Sequence, residues 1–149
     1  MTIRVQATLR IGGTLGRSHL ANLTAAIADD HAYLDWSGEP FDPDKIEEGV
    51  PLVLTVNEII GGELCMVEAF CRRHGLTYAR WSGGHTEFGP IRVVFNGAGV
   101  PQEFPATTDD EVLIRLETIR ALGSLHAIER HFAVANLTIP PFIIDPEPA

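Results

Sequence analysis

The sequence predicts an α+β fold in which two copies of a strand–helix–strand unit are followed by a C-terminal extension. Three observations predict it: residues 3–11 alternate strictly between apolar and polar, two Gly-Gly pairs each follow a strand pattern, and two Tyr-x-x-Trp-Ser-Gly motifs occupy corresponding places. A chain of 149 residues is long enough to bury roughly 70% of the surface of its unfolded state. We therefore expect one α+β domain over residues 1–149.

The first unit begins with a strand over residues 3–11, in which apolar side chains share one face and polar side chains share the other. Gly12-Gly13 is expected to end this strand. Apolar residues then recur at i, i+3 and i+7 from Leu20, a spacing that predicts an amphipathic helix over residues 15–29. A short strand is expected over residues 32–37.

The second unit repeats this order. Residues 51–58 are rich in β-branched and aliphatic side chains and predict a strand that ends before Gly61-Gly62. A helix follows, and Gly75 with the apolar residue after it is typical of a left-handed C-terminal cap. Residues 76–82 predict the next strand. Between the two units, Asp42-Pro43 predicts the start of one short helical turn.

Two landmarks recur in the same order in both units. Ile11-Gly12-Gly13 corresponds to Ile60-Gly61-Gly62, and the motif from Tyr33 to Gly38 corresponds to the motif from Tyr78 to Gly83. An ancient duplication with pseudo-repeats over residues 2–38 and 50–83 explains this order, and a chance match is the alternative. A doubled βαβ unit resembles the ferredoxin-like fold, an antiparallel sheet with two helices on one face. The resemblance is at the level of fold, because no motif identifies a particular family.

The C-terminal extension, residues 91–149, adds a strand and a helix to this plan. Residues 91–96 predict a fifth strand in a hairpin with the strand that ends near Ser82. Thr108-Asp-Asp-Glu111 predicts a capping box at the head of a helix that reaches about Val134, with a kink at Gly123-Ser124. Residues 137–144 are apolar and contain two prolines, which predicts an edge strand or an extended docking arm.

Composition and charge disfavour two classes of partner. Twenty acidic residues against eleven Lys and Arg residues give a formal net charge of −9, which repels phosphate backbones and anionic lipid. No stretch approaches the roughly 20 apolar residues of a membrane span, and the N-terminal residues lack the apolar core of a signal peptide. We expect a cytoplasmic protein that binds neither membranes nor nucleic acid.

One face of the predicted sheet is a candidate ligand site. Strand alternation places Arg4 and Arg10 on the face away from the helices, together with Tyr33, Tyr78 and Arg80. Arginine side chains offer planar donor forks to carboxylates and phosphates, so this face is a candidate site for a small anionic ligand. The alternative is a solvated face, or one covered by the C-terminal helix or by a second subunit.

A Gly-rich loop holds the other two candidate ligand residues, His85 and Glu87. A hairpin loop that uses glycines for positive φ explains the same residues. His126 and His131 are five apart, which places them on different sides of a helix, so no metal site is predicted. Common phosphate-binding and nucleophile motifs do not occur, and no cofactor is predicted.

Three functional hypotheses follow. The first is a non-enzymatic interaction or regulatory module, a homodimer whose apolar residues 139–144 dock on its partner or on its own subunit. The second is a domain or enzyme that binds a small anionic ligand through the arginine-bearing face and the loop of His85 and Glu87. The third is an acidic mimic of nucleic acid that blocks a basic partner protein. The sequence favours the first and does not decide whether the protein has any catalytic activity.

Overall fold

The computed structural model describes residues 4–84 and 88–147, and within them the chain forms six strands and four α-helices. The strands are β1 (Arg4–Gly16), β2 (Leu52–Ile60), β3 (Thr77–Ser82), β4 (Ile91–Phe95), β5 (Gln102–Pro105) and β6 (Phe142–Asp145). The helices are α1 (Leu20–Asp29), α2 (Cys65–His74), α3 (Leu116–Leu122) and α4 (Leu125–Ala135). The predicted mixed α+β class is confirmed. None of the described helices has the length and apolar character needed to cross a membrane.

Strand β1 lies inside a sheet of order β2-β1-β3-β4-β5, in which every neighbouring pair is antiparallel. The alternation predicted for this strand is present, because Val5, Ala7, Leu9 and Ile11 are buried. The predicted end of the strand at Gly12-Gly13 is wrong, because the strand continues to Gly16. It continues because β6 pairs in parallel with residues 13–16 and supplies backbone partners that the sequence pattern did not reveal.

The C-terminal segment docks on its own chain. Phe142 is buried in the core, and the Gly13 amide donates a hydrogen bond of 3.0 Å to the carbonyl oxygen of Pro141. A Cβ atom on Gly12 would lie 2.0 Å from the carbonyl oxygen of Pro140, so only glycine allows this close approach. The expectation of a docking arm is met, with the chain's own β1 as its partner.

Helices α1 and α2 contribute to one large core on one face of the sheet. Leu23 and Ile27 of α1 and Val67 and Cys71 of α2 are all buried there. The carboxylate of Asp30, directly after α1, accepts hydrogen bonds from the amides of residues 66 and 67, at 3.2 and 2.8 Å. The end of α1 therefore caps the start of α2.

Several local predictions are confirmed. Gly75 ends α2 in the left-handed conformation with φ 68°. Asp42 caps a short 3-10 turn over Pro43–Lys45 and accepts a hydrogen bond of 3.0 Å from the Asp44 amide. Strands β3 and β4 form the expected antiparallel hairpin. At these positions the local sequence was sufficient to predict the cap, the turn and the hairpin.

The strand predicted over residues 32–37 is reduced to isolated bridges from Tyr33 to Thr55 and Pro40. Asp35 instead forms an Asx turn, accepting a hydrogen bond of 2.8 Å from the Ser37 amide, and such local bonds compete with a strand ladder. Trp36 is exposed, whereas Trp81 donates a hydrogen bond of 2.9 Å from Nε1 to the carbonyl oxygen of Thr107. The two Trp residues therefore lie in unrelated environments. Equivalent positions of a repeat would give them similar environments, so the ferredoxin-like duplication is not confirmed.

The long C-terminal helix predicted from Thr108 is also corrected. Residues 107–115 form a turn and a bridge, and α3 begins only at Leu116. Arg92 on β4 holds this turn against the sheet through two bonds to the Asp110 carboxylate, at 3.0 and 2.8 Å, and Asp110 has φ 61°. The break at Gly123-Ser124 is confirmed: Gly123 ends α3 with φ 76°, and Ser124 Oγ accepts a hydrogen bond from the Ala127 amide at the start of α4.

Candidate functional site

The structure separates the residues predicted to share one ligand-binding face. Tyr78 and Arg80 are buried on the helix-covered face, opposite Ile11 and Leu9 in the antiparallel register. Arg10 pairs with Ala79 and points to the other face. The expectation of a common face is therefore wrong. Tyr78 and Arg80 do share one face of β3, but that face is the buried one, because Arg80 has a buried acidic partner in Glu68.

The remaining predicted residues do not join Tyr78 and Arg80 either. Arg4 is exposed, and Arg10 forms a partly exposed ion pair with Asp110 at 3.6 Å. Tyr33 is half-buried at the bridge to Thr55. His85 and Glu87 lie outside the described residues. Within the described ranges, no cluster of three or more His, Cys, Asp or Glu side chains is arranged to hold a metal ion.

A buried ion pair organises the region around Arg80. Arg80 Nε donates to Glu68 Oε1 at 2.9 Å, and both side chains are almost fully buried. Arg80 Nη1 donates to the carbonyl oxygen of Gly62 at 2.9 Å and also contacts Ser82 Oγ. Glu68 Oε2 accepts a hydrogen bond of 2.7 Å from the Leu64 amide at the start of α2. The pair therefore ties α2, the Gly61-Gly62 turn and β3 together.

This ion pair forms part of the lining of a cavity of about 300 Å³ beside α2. Its charged and polar lining consists of Glu63, Cys65, Glu68, Arg72, Tyr78, Arg80 and Glu103. Arg72 Nη1 donates to Tyr78 Oη at 3.0 Å. A second cavity, of about 670 Å³, shares Glu103 and has apolar walls that include Phe88, Ile91 and Leu113. The region thus combines charged groups with neighbouring apolar surface, as small-molecule sites do.

The electrostatics of this cavity do not produce an activated nucleophile. Burial raises the pKa of the Cys65 thiol, and the negative charge of Glu63 adds to that shift. Burial also raises the pKa of Tyr78 to about 12. The pKa of Glu68 is raised by burial, an effect that Arg80 opposes. A protonated thiol and a neutral phenol suit binding better than nucleophilic attack.

Sequence reasoning missed Glu68, Arg72 and Glu103. Glu68 and Arg72 are four residues apart on α2, a spacing that places them on the same side of the helix. An Arg inside the largely apolar strand β3 was the signal that a buried acidic partner was needed. Glu103 gave no such signal, because β5 was not predicted.

A second candidate site is the surface of α3 and α4. No residue of α3 is buried, and only Ala135 of α4 is. The apolar stripe of α4 runs from Leu125, which is 71% exposed, through half-buried Ile128 and Phe132 to Ala135. Leu116 at the start of α3 is 58% exposed. Helix α4 is therefore attached to the sheet at its C-terminal end and leaves its other end uncovered.

Comparison with protein-family models, with curated proteins and with solved structures finds no match for this chain, so the geometry carries the functional argument.

Proposed function

We propose that this protein is a non-enzymatic interaction module that forms a homodimer through the surface of α3 and α4, called here the helical surface. The observation that carries the proposal is the open apolar stripe of this surface, with Leu116 and Leu125 largely exposed. Apolar side chains left exposed in this way are typical of a binding interface. The C-terminal residues 139–144, an earlier candidate for the interface, are occupied by β1 of the same chain.

The length of α3 supports a need for further packing. It has seven residues, and isolated helices shorter than about 12–15 residues are marginal in water. Burying a leucine side chain contributes roughly 1.5–3 kcal/mol relative to leaving it exposed. A partner that covers Leu116 and Leu125 would therefore stabilise both helices.

Charge favours a second copy of the chain as that partner. Residues 116–135, which span both helices, contain two arginines, Arg120 and Arg130, and two glutamates, Glu117 and Glu129, a net charge of 0. The rest of the chain has 18 acidic and 9 basic residues, a net charge of −9. In a two-fold dimer the same surface meets itself, so a nearly neutral surface avoids the repulsion that the rest of the molecule would produce.

Two further features belong to the same interpretation. The exposed free thiol of Cys65 suits a reducing compartment, which supports a cytoplasmic location.

The order β2-β1-β3, with a bridge from Tyr33 at the outer side of β2, is compatible with a ferredoxin-like sheet in which one edge strand has been reduced to a bridge.

The oligomeric state tests the proposal. We expect the wild type to have the mass of a dimer by light scattering, and the variant Leu116→Glu/Leu125→Glu to have the mass of a monomer. Both positions are exposed in the monomer, so the variant should retain the circular dichroism spectrum of the wild type.

Ile143→Glu provides the matched control, because Ile143 is also exposed but lies on β6, away from the helical surface. This control should remain dimeric. A monomeric wild type at submillimolar concentration, or an unchanged mass for Leu116→Glu/Leu125→Glu, would overturn the proposal.

A further inference from the structure

We propose that the cavity beside α2 binds a free α-amino acid with an apolar side chain: its ammonium group meets the carboxylates of Glu63 and Glu103, and its carboxylate meets Arg72. None of the three charged residues that carry it belongs to α3 or α4, and ligand binding is measured separately from dimer formation.

One wall of the cavity is formed by a buried ion pair. The ion pair of Glu68 and Arg80 is almost fully buried, and burying two charges is often no more stabilising than apolar residues of the same volume. Both oxygens of Glu68 and two nitrogens of Arg80 are already engaged by the protein. The pair is therefore held in one position, and a fixed polar wall is what a ligand site requires.

Because the charges of Glu68 and Arg80 cancel, the other charged residues of the cavity determine which ligand it suits. Glu63 and Glu103 are exposed, and within the described ranges no ion pair joins either of them to a cation of the chain. Arg72 is exposed and forms no ion pair there, and its one hydrogen bond is to a neutral phenol. Glu63 accepts a hydrogen bond of 3.6 Å from the Cys65 thiol, so all three groups contact at most neutral partners. Two carboxylates and one guanidinium without an ion pair disfavour a simple anion. They match a ligand that carries an ammonium group and a carboxylate.

The neighbouring cavity offers space for the side chain of the ligand. It shares Glu103 with the charged cavity, and its walls are mainly apolar, with Ile91 and Leu113 among them and Arg115 as its second charged residue. A ligand whose ammonium group lies at Glu103 would therefore have apolar surface available for a side chain. The two cavities hold about 300 and 670 Å³, within the range of small-molecule sites.

Calorimetry and thermal shift with L-leucine, L-methionine and L-phenylalanine test the inference, and we expect at least one of them to bind and to raise the melting temperature. N-acetyl-L-leucine lacks the ammonium group and L-leucinamide lacks the carboxylate. Where leucine binds, both analogues should bind more weakly. Glu103→Gln and Arg72→Gln should each weaken binding of the amino acid about tenfold, because each removes a charged hydrogen-bond partner.

Glu48→Gln is the matched control, since it makes the same change at an exposed carboxylate outside both cavities, and it should bind like the wild type. Glu103 is exposed, so Glu103→Gln should fold normally and keep the test interpretable. Absence of binding for all three amino acids would overturn the inference. So would binding that Glu103→Gln leaves unchanged, or leucinamide binding as tightly as leucine. The dimer mass is a separate measurement, so either proposal can fail alone.

Discussion

The two helix pairs of this protein pack in opposite ways. Helices α1 and α2 together bury seven residues, among them the charged Glu68, whereas α3 and α4 bury only Ala135. The first pair belongs to a complete core with Leu9, Ile11 and Leu54. Of the second pair, only Ala135 of α4 joins a small cluster with Phe104 and Val94, and Leu116 and Leu125 stay largely exposed. The first pair therefore contributes most of the helical part of the core, and the exposed surface of the second pair is the basis of the dimer proposal.

The largest loss of stability is expected in the region of α1 and α2, when one buried charge there loses its partner. Arg80→Met should lower the free energy of unfolding by about 3–5 kcal/mol, because Glu68 would remain buried and unpaired. Denaturant unfolding measures this loss.

The double variant Glu68→Gln/Arg80→Met serves as its control. Gln keeps an oxygen for the Leu64 amide but carries no charge, so the double variant should be more stable than Arg80→Met alone. A double variant as unstable as the single one would show that Arg80 acts by packing rather than by charge.

A matched pair of leucines compares the two regions directly. Leu23→Ala in α1 should cost about 2–5 kcal/mol, because Leu23 is fully buried. Leu125→Ala in α4 should cost the monomer less than about 0.5 kcal/mol, because Leu125 is largely exposed. Unfolding at protein concentrations low enough to dissociate the dimer measures both. Equal losses would mean that the two regions do not differ in packing as described.

The smallest expected effect concerns pH. Burial raises the folded-state pKa of Asp30 above its ordinary value of 3.8, an effect that the amides of Val67 and Met66 oppose. The folded state therefore binds this proton more tightly than the unfolded state. Acidification through the raised pKa and down to about 3.8 should stabilise the wild type relative to Asp30→Asn.

The measurement is the difference in free energy of unfolding between wild type and Asp30→Asn at several pH values. Asn has one acceptor oxygen and can keep only one of the two cap hydrogen bonds of α2. Because Asn does not titrate, the change of this difference with pH reports the charge of Asp30. A difference that does not change with pH, or that moves in favour of Asp30→Asn on acidification, would contradict the assignment.

Elements with a strong local signal were predictable. The alternation of β1, the glycine that ends α2 and the break at Gly123-Ser124 all depend on neighbouring residues and were anticipated. Strand β5 was missed because it has four residues, ends in Pro105 and carries exposed polar side chains next to Phe104. The strand expected over residues 32–37 did not form because an Asx turn at Asp35 competed with it.

The candidate cavity was only half predictable, because Tyr78 and Arg80 were singled out but assigned to the wrong face. Their environment depends on Glu68, which is twelve residues away from Arg80 in the chain. The alternation of apolar and polar residues along a strand gives no information about such a distant partner. The exposure of the helical surface was not predictable either, since the apolar residues of α4 have the same spacing as those of a helix packed on a core.

The sequence by itself determined the α+β class, the order of most strands and helices, the net charge and the docking arm near the C-terminus. These features depend on local periodicity, capping and composition. Only the tertiary structure decided which face of β3 is buried, which carboxylates surround Arg80 and Arg72, and that α4 leaves its N-terminal end uncovered. Such features depend on contacts between residues far apart in the chain, and those contacts are set by packing rather than by any local pattern.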